Sequence, residues 1–266
     1  MAIPKLFIIL PAYNEQENLP SLIKNLESVF ERLSYSGHTR SYVIVDDGSN
    51  DETPKILEQY KNDIPLTIIT HCPNEGLGST MRDGLKAASK LAGEQDIIFT
   101  MDADNSHPAG LIIRMTHMIL EGNDIVIASR YRPGARVVGL AWHRRLMSFG
   151  ARILFQLIVP IPGVRDYTCG YRAYRAGLIK DAFKIYGDTF VENRGFQCMA
   201  EILVKLGKMK AIVTEAPMIL RYDKKKGTSK MHVYKTILGT LKLILMFRFS
   251  RIQTQKFDEA GLESHS

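Results

Sequence analysis

The segment Lys5-Leu-Phe-Ile-Ile-Leu-Pro-Ala-Tyr-Asn-Glu15 decides the fold, because its apolar run ends abruptly in polar residues. Short apolar runs of this kind are typical of strands that are buried on both faces of a parallel sheet. Apolar residues at helical spacing follow at 19–33 and again at 77–91. Four more runs of the first type lie at residues 42–45, 66–70, 97–101 and 125–128. The alternation predicts right-handed βαβ units, and therefore an α/β fold with a mostly parallel sheet flanked by helices.

The second half of the chain has a less regular pattern. The apolar part of its last predicted helix, 237–247, has 11 residues. At ~1.5 Å per residue this segment is well short of the ~30 Å hydrocarbon core of a bilayer. With its basic flanks it would lie on a membrane surface or pack as an ordinary core helix. The predicted elements are a helix at 142–159, another around 196–206, a strand at 211–217 and a carboxy-terminal amphipathic helix at 231–250, before a polar tail at 251–266.

The composition is that of a basic globular protein. Among the 266 residues, lysine and arginine exceed aspartate and glutamate by seven, 35 against 28. This excess favours anionic partners, namely nucleic acid, phosphorylated substrates or anionic lipid. Three cysteines far apart predict neither a disulfide framework nor a CxxC metal site, and we expect them to be reduced and buried. No apolar run has the ~20 residues of a membrane span or the features of a secretory signal, so we expect a cytoplasmic protein.

Polar segments follow four of the predicted strands. Any one of them could be a helix cap or a solvated turn. In an open α/β sheet, however, ligands bind beyond the carboxyl ends of the strands, and capping does not require four such segments to meet at one edge. We therefore expect a common site formed by residues 11–15, 45–51, 101–108 and 128–131.

Asp102 and Asp104 lie two residues apart at a strand end, so their side chains point the same way. Two carboxylates suit one hard divalent cation, such as Mg²⁺ that keeps water and phosphate oxygens in its shell. A calcium-binding EF-hand is excluded, because its sixth position would be His107 in place of glycine and its twelfth Ile113 in place of glutamate. The pair therefore predicts a metal site for a phosphate substrate.

Gly76 and Gly78 precede the helix predicted at 77–91. The dinucleotide-binding fingerprint fails here, because its third glycine would be Met81. A plain glycine-rich turn and a direct contact with a ligand phosphate both stay open. The chain also lacks the GxxxxGK[ST], GxSxG and HExxH motifs, which removes the usual NTPase, serine-hydrolase and zinc-protease functions.

The motifs of the chain, taken in order, resemble those of family 2 glycosyltransferases with the GT-A fold. Within that family they are similar to dolichol- or polyprenol-phosphate mannose synthases, in a short form without carboxy-terminal transmembrane helices. The likeness runs from residue 5 to about residue 235. The motifs are Pro11-Ala-Tyr-Asn-Glu15, Val45-Asp-Asp-Gly-Ser49 with Asp51, Gly76-Leu-Gly78, Met101-Asp-Ala-Asp104 with Ser106-His-Pro108, Ser129-Arg-Tyr131, Asp166 with Thr168-Cys-Gly-Tyr-Arg172, Gly195-Phe-Gln197 with Glu201, Glu215-Ala-Pro217 and Gly227-Thr-Ser-Lys230.

The resemblance implies residues for a nucleotide-sugar donor and for a metal ion. Asp104 would be the principal ligand of Mg²⁺ or Mn²⁺, with Asp102 as the second carboxylate. The donor would be bound by Pro11, Tyr13, Asn14, Glu15, Val45, Asp47, Asp102, Ala103 and Asp104.

The resemblance also implies cationic residues for phosphate groups. Arg130 and Lys230 would be catalytic together with the metal ligand, by contacting phosphates. Arg145 would bind the acceptor phosphate, with a solvated arginine on a helix as the alternative. Family members often carry an arginine six residues before the GxSK lysine. Here that position is Lys224, and a lysine cannot bind a phosphate in the bidentate way that an arginine does. Arg221, three residues earlier, is the other candidate for this role.

One domain of residues 1–250 is implied. Residues 1–131 would bind the nucleotide sugar, residues 132–230 would form the acceptor side, and residues 231–250 would be the interfacial helix. The implied partners are the nucleotide-sugar donor, a polyprenyl-phosphate acceptor and a membrane surface, and a small membrane-anchoring subunit stays open. The protein would then be peripheral on the cytoplasmic face of a membrane. Nucleic acid is not an expected partner, because no recognisable motif for it is present.

The implied reaction is inverting transfer of a hexose, most simply mannose from GDP-mannose, to a polyprenyl or dolichyl phosphate. This acceptor needs no general base, because a phosphomonoester with a second pKa near ~6 is mostly a dianion at neutral pH. One alternative is UDP-glucose or another UDP-sugar as donor. Another is a soluble glycan or protein acceptor, for which Asp166 or Glu192 would deprotonate a hydroxyl. A non-catalytic binding protein is disfavoured, because both metal-site aspartates and both phosphate-side cations are present.

Overall fold

A computed structural model describes residues 3–139, 150 and 152–221. The predicted apolar runs form strands because residues on both of their faces are buried, as in Leu6–Leu10 and Ile97–Phe99. The strands are β1 (Leu6–Ala12), β2 (Arg40–Asp46), β3 (Leu66–Thr70), β4 (Ile97–Thr100), β5 (Ile125–Ser129), β6 (Arg136–Val138), β7 (Arg172–Arg175), β8 (Val213–Pro217) and β9 (Ile219–Arg221).

The helices bury the apolar stripes that their periodicity predicts. In the first of them, Leu19, Leu22, Ile23 and Leu26 are all buried in the hydrophobic core. The helices are α1 (Leu19–Ser34), α2 (Thr53–Tyr60), α3 (Leu77–Leu91), α4 (Leu111–Leu120), α5 (152–158), α6 (Ala176–Tyr186) and α7 (Cys198–Lys208), and a 3₁₀ turn covers Gly187–Phe190.

A seven-stranded sheet has the order β3-β2-β1-β4-β7-β5-β8, and β6 pairs with β9 in a separate two-stranded sheet. All pairs of the large sheet are parallel except those of β7, which runs antiparallel to both β4 and β5. Because β7 runs the opposite way, the loop that precedes it lies at the carboxyl ends of β4 and β5. That edge is where the sequence predicts the functional site.

The structure confirms the α/β fold, the five predicted strands and the helices that begin at Leu19 and Leu77. The helix expected around 196–206 covers Cys198–Lys208, and the strand expected at 211–217 covers Val213–Pro217. Of the helix expected at 142–159, the described part is α5. The predictions for Arg145, Lys224, Lys230, the helix at 231–250 and the tail at 251–266 lie outside the described residues.

The expectation that all three cysteines are buried is wrong for Cys72, which is exposed at the end of β3, while Cys169 and Cys198 are buried. Burial raises the pKa of the Cys169 thiol to about 12, so that thiol stays protonated at neutral pH. Among the residues that the structure describes, no helix is long and apolar enough to cross a membrane.

Candidate functional site

Two loops at the carboxyl ends of β1 and β2 form one wall of the site. The strands are adjacent and parallel, with Pro11 opposite Val45, so their following residues meet. The Asn14 backbone N–H donates to Ser49 Oγ at 2.9 Å, and Asn14 Oδ1 accepts from the Asn50 backbone N–H at 2.8 Å. Asn14 has a φ of 52°, which asparagine tolerates better than most residues. Asn14 therefore joins the two loops, whatever contact it makes with a ligand.

The Asp47 carboxylate organises the next loop, residues 71–76. Its Oδ1 accepts from His71 Nδ1 at 2.8 Å and from the Glu75 backbone N–H at 2.9 Å. Its Oδ2 accepts from the Gly76 backbone N–H at 2.9 Å. Asp47 is 5% exposed and His71 is 6% exposed, so these bonds are shielded from water. The predicted donor residue therefore also holds the loop that leads into α3.

His71 bridges two carboxylates, since its Nε2 lies 3.1 Å from Asp83 Oδ2. Burial alone would lower the pKa of His71, but the hydrogen bond and charge of Asp47, together with Asp83 and Glu75, raise it above the usual value. The side chains of His71, Glu75 and Asp83 also offer metal-ligating atoms within 4.8 Å of one another. Arg82 Nε also donates to Asp83 Oδ1 at 2.9 Å. A protonated His71 that donates to Asp47 and Asp83 therefore accounts for this cluster without a metal ion.

The glycine-rich turn at Gly76 and Gly78 contacts protein backbone. The Gly78 backbone N–H donates to the Arg194 carbonyl oxygen at 2.9 Å. A Cβ built on Gly78 would overlap the Asn193 carbonyl and lie 2.9 Å from Arg194 Cα, and a Cβ on Gly76 would lie 2.7 Å from the Arg194 oxygen. Close approach of the loop at 193–194 therefore explains both glycines.

Replacing Gly78 with alanine is expected to destabilise the protein by about 3 kcal/mol, because the new Cβ forces the 193–194 backbone away from α3. Urea denaturation would measure this change in the free energy of unfolding. Gly110→Ala is the matched control, since nothing lies within 4 Å of a Cβ there and its φ is −60°. Equal effects of the two substitutions would contradict the close approach.

The Asp102–His107 loop follows β4 and is held by hydrogen bonds between its own residues. Asp104 is buried, and its Oδ1 accepts from Ser106 Oγ at 2.6 Å and from the Ser106 backbone N–H at 3.1 Å. The Asp102 backbone N–H points to His107 Nδ1 at 3.3 Å. The His107 ring stacks on Tyr171 with centroids 5.1 Å apart, so this histidine packs as part of the loop's own structure.

The two aspartates fit a hard divalent cation. The Asp102 side chain is 44% exposed and accessible to a ligand, whereas Asp104 is almost fully buried at 6%. A Cβ on Gly170 would lie 3.1 Å from Asp102 Oδ1, so glycine at this position leaves room beside the carboxylate. Carboxylate oxygens at a strand end are the ligands that Mg²⁺ and Mn²⁺ prefer.

Arg130, at the end of β5, forms a bidentate ion pair with Asp166. Its Nη2 lies 2.6 Å from Asp166 Oδ1 and its Nε 2.8 Å from Oδ2, and Nη2 also donates to Thr168 Oγ1 at 2.7 Å. The Asp166 side chain is fully buried. Burial would raise the pKa of Asp166, but the Arg130 guanidinium lowers it below the usual value. Asp166 therefore stays ionised and fixes Arg130, which is unlike a base that must accept a proton near neutral pH.

A second buried carboxylate supports this pair from β8. Glu215 Oε1 accepts from the backbone N–H groups of Arg165 and Asp166 at 2.6 and 2.7 Å. Within the described residues its Oε2 has no hydrogen-bond partner, and the Arg132 Nε lies 3.9 Å away. Glu215 thus sets the backbone position of Asp166, and through it the direction of Arg130.

The structure brings most of the predicted site residues to one edge, while some of them are accessible only in part. The Arg221 backbone N–H donates to the Ser106 carbonyl oxygen at 3.1 Å, which sets Arg221 beside the aspartate loop. Val45 is fully buried, with its Cγ2 3.3 Å from a Cβ built on Gly84, and Ala103 is 2% exposed. Any contact of Val45 with a donor would therefore use its backbone, and the assignment of these residues to the donor stays a prediction.

Sequence reasoning missed the supporting roles of His71, Thr168 and Glu215. Each acts on a partner that is distant in sequence, as His71 does on Asp47 24 residues earlier and Glu215 on Asp166 49 residues earlier. The only sequence signal was the presence of Thr168 and Glu215 within motifs whose roles were not assigned.

Comparison with known proteins identifies relatives of this chain. The family model for glycosyl transferase family 2 matches residues 7–183. A dolichol-phosphate mannosyltransferase of Pyrococcus furiosus is 32% identical over 90% of this chain and 62% of its own length. A polyprenol monophosphomannose synthase of Mycolicibacterium smegmatis is 26% identical over 84% of the chain and 80% of its own length.

The fold is also that of a solved glycosyltransferase structure. Glucosyl-3-phosphoglycerate synthase from Mycobacterium tuberculosis, in complex with Mn²⁺, UDP and phosphoglyceric acid, superposes with a TM-score of 0.61 at 17% identity, over 92% of this chain and 78% of that one. The present chain spans less than two thirds of the length of the Pyrococcus relative. Since the family model covers more than half of the residues, the chain belongs to glycosyl transferase family 2.

Proposed function

We propose that this protein transfers a hexose to a polyprenyl phosphate with inversion at the anomeric carbon. The proposed hexose is mannose and the proposed donor is GDP-mannose. The two curated relatives support this proposal by their names, dolichol-phosphate mannosyltransferase and polyprenol monophosphomannose synthase. UDP-glucose or another UDP-sugar is the alternative donor, because the described contacts do not distinguish the bases.

The observation on which the proposal rests is the ion pair between Asp166 and Arg130. A hydroxyl acceptor needs a carboxylate base, and Asp166 and Glu192 are the candidates from the sequence. Asp166 is held ionised by a bidentate ion pair, with its pKa below the usual value. Glu192 lies 3.2 Å from Lys205 Nζ, on the loop beside α3. A phosphate acceptor, which attacks without losing a proton, fits this site better than a hydroxyl acceptor.

In the proposed step an oxygen of the lipid phosphate forms a bond to the anomeric carbon. The bond from that carbon to the donor diphosphate breaks, and its electron pair leaves with the nucleoside diphosphate. Arg130 would bind a phosphate group in the direction that Asp166 sets. Fixed cations of this kind stabilise negative charge as it develops on a leaving group.

Asp104 and Asp102 would hold Mg²⁺ or Mn²⁺, which supplies a positive charge for the departing diphosphate when it is bound. A GT-A relative is solved with Mn²⁺ and UDP, which supports a metal of this class. Because the proposed acceptor is a lipid, we also infer that the protein works at a membrane surface, alone or with a small anchoring subunit.

Transfer from radiolabelled nucleotide sugars into an organic-extractable lipid tests the proposal. The reaction would contain purified protein, a short polyprenyl phosphate in detergent, Mg²⁺ or Mn²⁺, and in turn GDP-mannose, UDP-glucose and UDP-N-acetylglucosamine. We expect lipid product from GDP-mannose alone. Lipid product from a UDP-sugar only would show that the donor is that UDP-sugar and not GDP-mannose. Donor hydrolysis without lipid product from any donor would contradict a polyprenyl-phosphate acceptor.

A further inference from the structure

The two-stranded sheet has one buried and one exposed face. Its strands pair in parallel, with Arg136 opposite Ile219 and Val138 opposite Arg221. Paired residues, and residues two apart on a strand, point to the same side of a sheet, so these four side chains share a face. Leu220 lies on the other side and is 3% exposed. We name Arg136, Val138, Ile219 and Arg221 the outer face.

The outer face combines positive charge with exposed aliphatic side chains. Val138 is 39% exposed and Ile219 is 49% exposed, and both arginines are exposed. Arginine next to exposed aliphatic residues is a combination that suits the headgroup region of a bilayer, where guanidinium groups bind lipid phosphates and apolar groups reach the acyl boundary.

The sequence around β6 is unusually depleted of acidic residues. From Ile125 to Arg165 the chain has seven arginines and no aspartate or glutamate. At the average frequency of 28 acidic residues in 266, a segment of this length would have about four. Among the described residues no ion pair involves Arg136, whereas Arg130 and Arg132 lie next to Asp166 and Glu215. Arg136 therefore gives the outer face a positive charge that no acidic side chain of the described residues pairs.

The outer face also adjoins the proposed site. Arg221 donates its backbone N–H to the Ser106 carbonyl oxygen at 3.1 Å, two residues beyond Asp104. Arg136 donates its backbone N–H to the Met218 carbonyl oxygen at 3.0 Å, and Met218 donates to Ser129 at the end of β5. A surface that contacts the outer face would therefore border the edge of the sheet where the aspartate loop lies.

We propose that the outer face lies against the surface of an anionic lipid bilayer. The charge selects an anionic partner, and the exposed valine and isoleucine select a lipid surface over a hydrophilic polyanion. The biological purpose of this contact rests on the proposed function, because the lipid acceptor would be drawn from the same bilayer. The contact itself is a property of the protein without donor or acceptor.

Partition of the full chain onto vesicles, without donor or acceptor, tests this inference independently of transferase activity. The vesicles would contain phosphatidylcholine alone or with about one third phosphatidylglycerol, at low salt. Arg136→Glu is compared with Lys24→Glu, which reverses the charge of an exposed lysine on α1. We expect Arg136→Glu to lower partition onto anionic vesicles about tenfold or more, and Lys24→Glu to change it less than about twofold.

Two further variants separate the roles of charge and apolar contact. Arg136→Lys should retain most of the partition, and Val138→Ser should lower it even when added salt has screened the charges. Equal partition of Arg136→Glu and Lys24→Glu would overturn the inference, as would equal partition of the wild-type protein onto neutral and anionic vesicles. Failure of sugar transfer in the assay described above would leave these results unaffected.

Discussion

Replacing Asp104 with asparagine is expected to lower the rate of metal-dependent sugar transfer about a thousandfold, while the protein stays folded. The substitution removes a charge that, in the proposed site, would hold the metal, and a bound metal contributes several kcal/mol of transition-state stabilisation. Asparagine retains a side-chain oxygen that can accept the hydrogen bonds from Ser106, so the loop keeps its support. A reduced rate would therefore report on the metal.

The rate is measured at saturating donor over a range of Mg²⁺ and Mn²⁺ concentrations, and thermal unfolding is measured on the same samples. Asp63→Asn is the control, because Asp63 is an exposed residue after α2. We expect it to have the wild-type rate. Turnover of Asp104→Asn with an unchanged dependence on metal concentration would contradict the assignment of Asp104 as a metal ligand.

Replacing Arg130 with alanine is expected to have the largest effect on stability, a loss of about 3–5 kcal/mol in the free energy of unfolding near neutral pH. The substitution leaves the Asp166 carboxylate buried without its bidentate partner, and an uncompensated buried charge is costly. Sugar transfer should also fall, because a cation for the phosphate groups is lost. Lys184→Ala breaks an exposed ion pair with Asp181 and should leave the free energy of unfolding almost unchanged, because solvent screens that pair.

The contribution of Asp166 to the free energy of unfolding depends on pH with opposite sign in the wild type and in Arg130→Ala. In the wild type the pKa of Asp166 is below its unfolded value, so the pair stabilises the protein above that unfolded value and this contribution is lost as the pH falls through the lower, folded pKa. In Arg130→Ala burial would raise the pKa of Asp166, so acid would relieve the destabilisation. Urea denaturation at about pH 7 and about pH 4.5 should show a smaller difference between the two proteins in acid. A constant difference would contradict the ion-pair assignment.

The sequence was sufficient to predict the parallel strands of the large sheet and the edge at which their polar segments meet, because both depend on patterns within single elements. An apolar run such as Leu6–Leu10 is a strand in any context where both faces are buried. Asp102 and Asp104 could be placed at the edge because they directly follow β4. Among the described residues, the strands and helices that were predicted from one short segment each were confirmed.

Contacts between distant segments could not be predicted in the same way. The four residues of β7 include Arg172, which is fully buried and donates to the carbonyl oxygens of Met199 and Tyr167. A strand that contains a buried arginine lacks the usual apolar pattern, and its antiparallel direction has no local signal. For the same reason the sequence offered Asp166 as a base, because it gave no sign of the partner 36 residues earlier.

The position of β7 also bears on how the chain reaches its native state. β4 and β5 are not hydrogen-bonded to each other, because β7 lies between them and pairs with both. A fragment that ended after residue 131 would contain both strands but lack β7 and β8. β4 would keep its pairing with β1, whereas the polar backbone of β5 would have no partner strand. β4 and β5 are therefore joined only after residues 172–175 have been synthesised, and β8 can pair with β5 only after residues 213–217. The edge that carries Arg130 thus forms by long-range pairing late in folding.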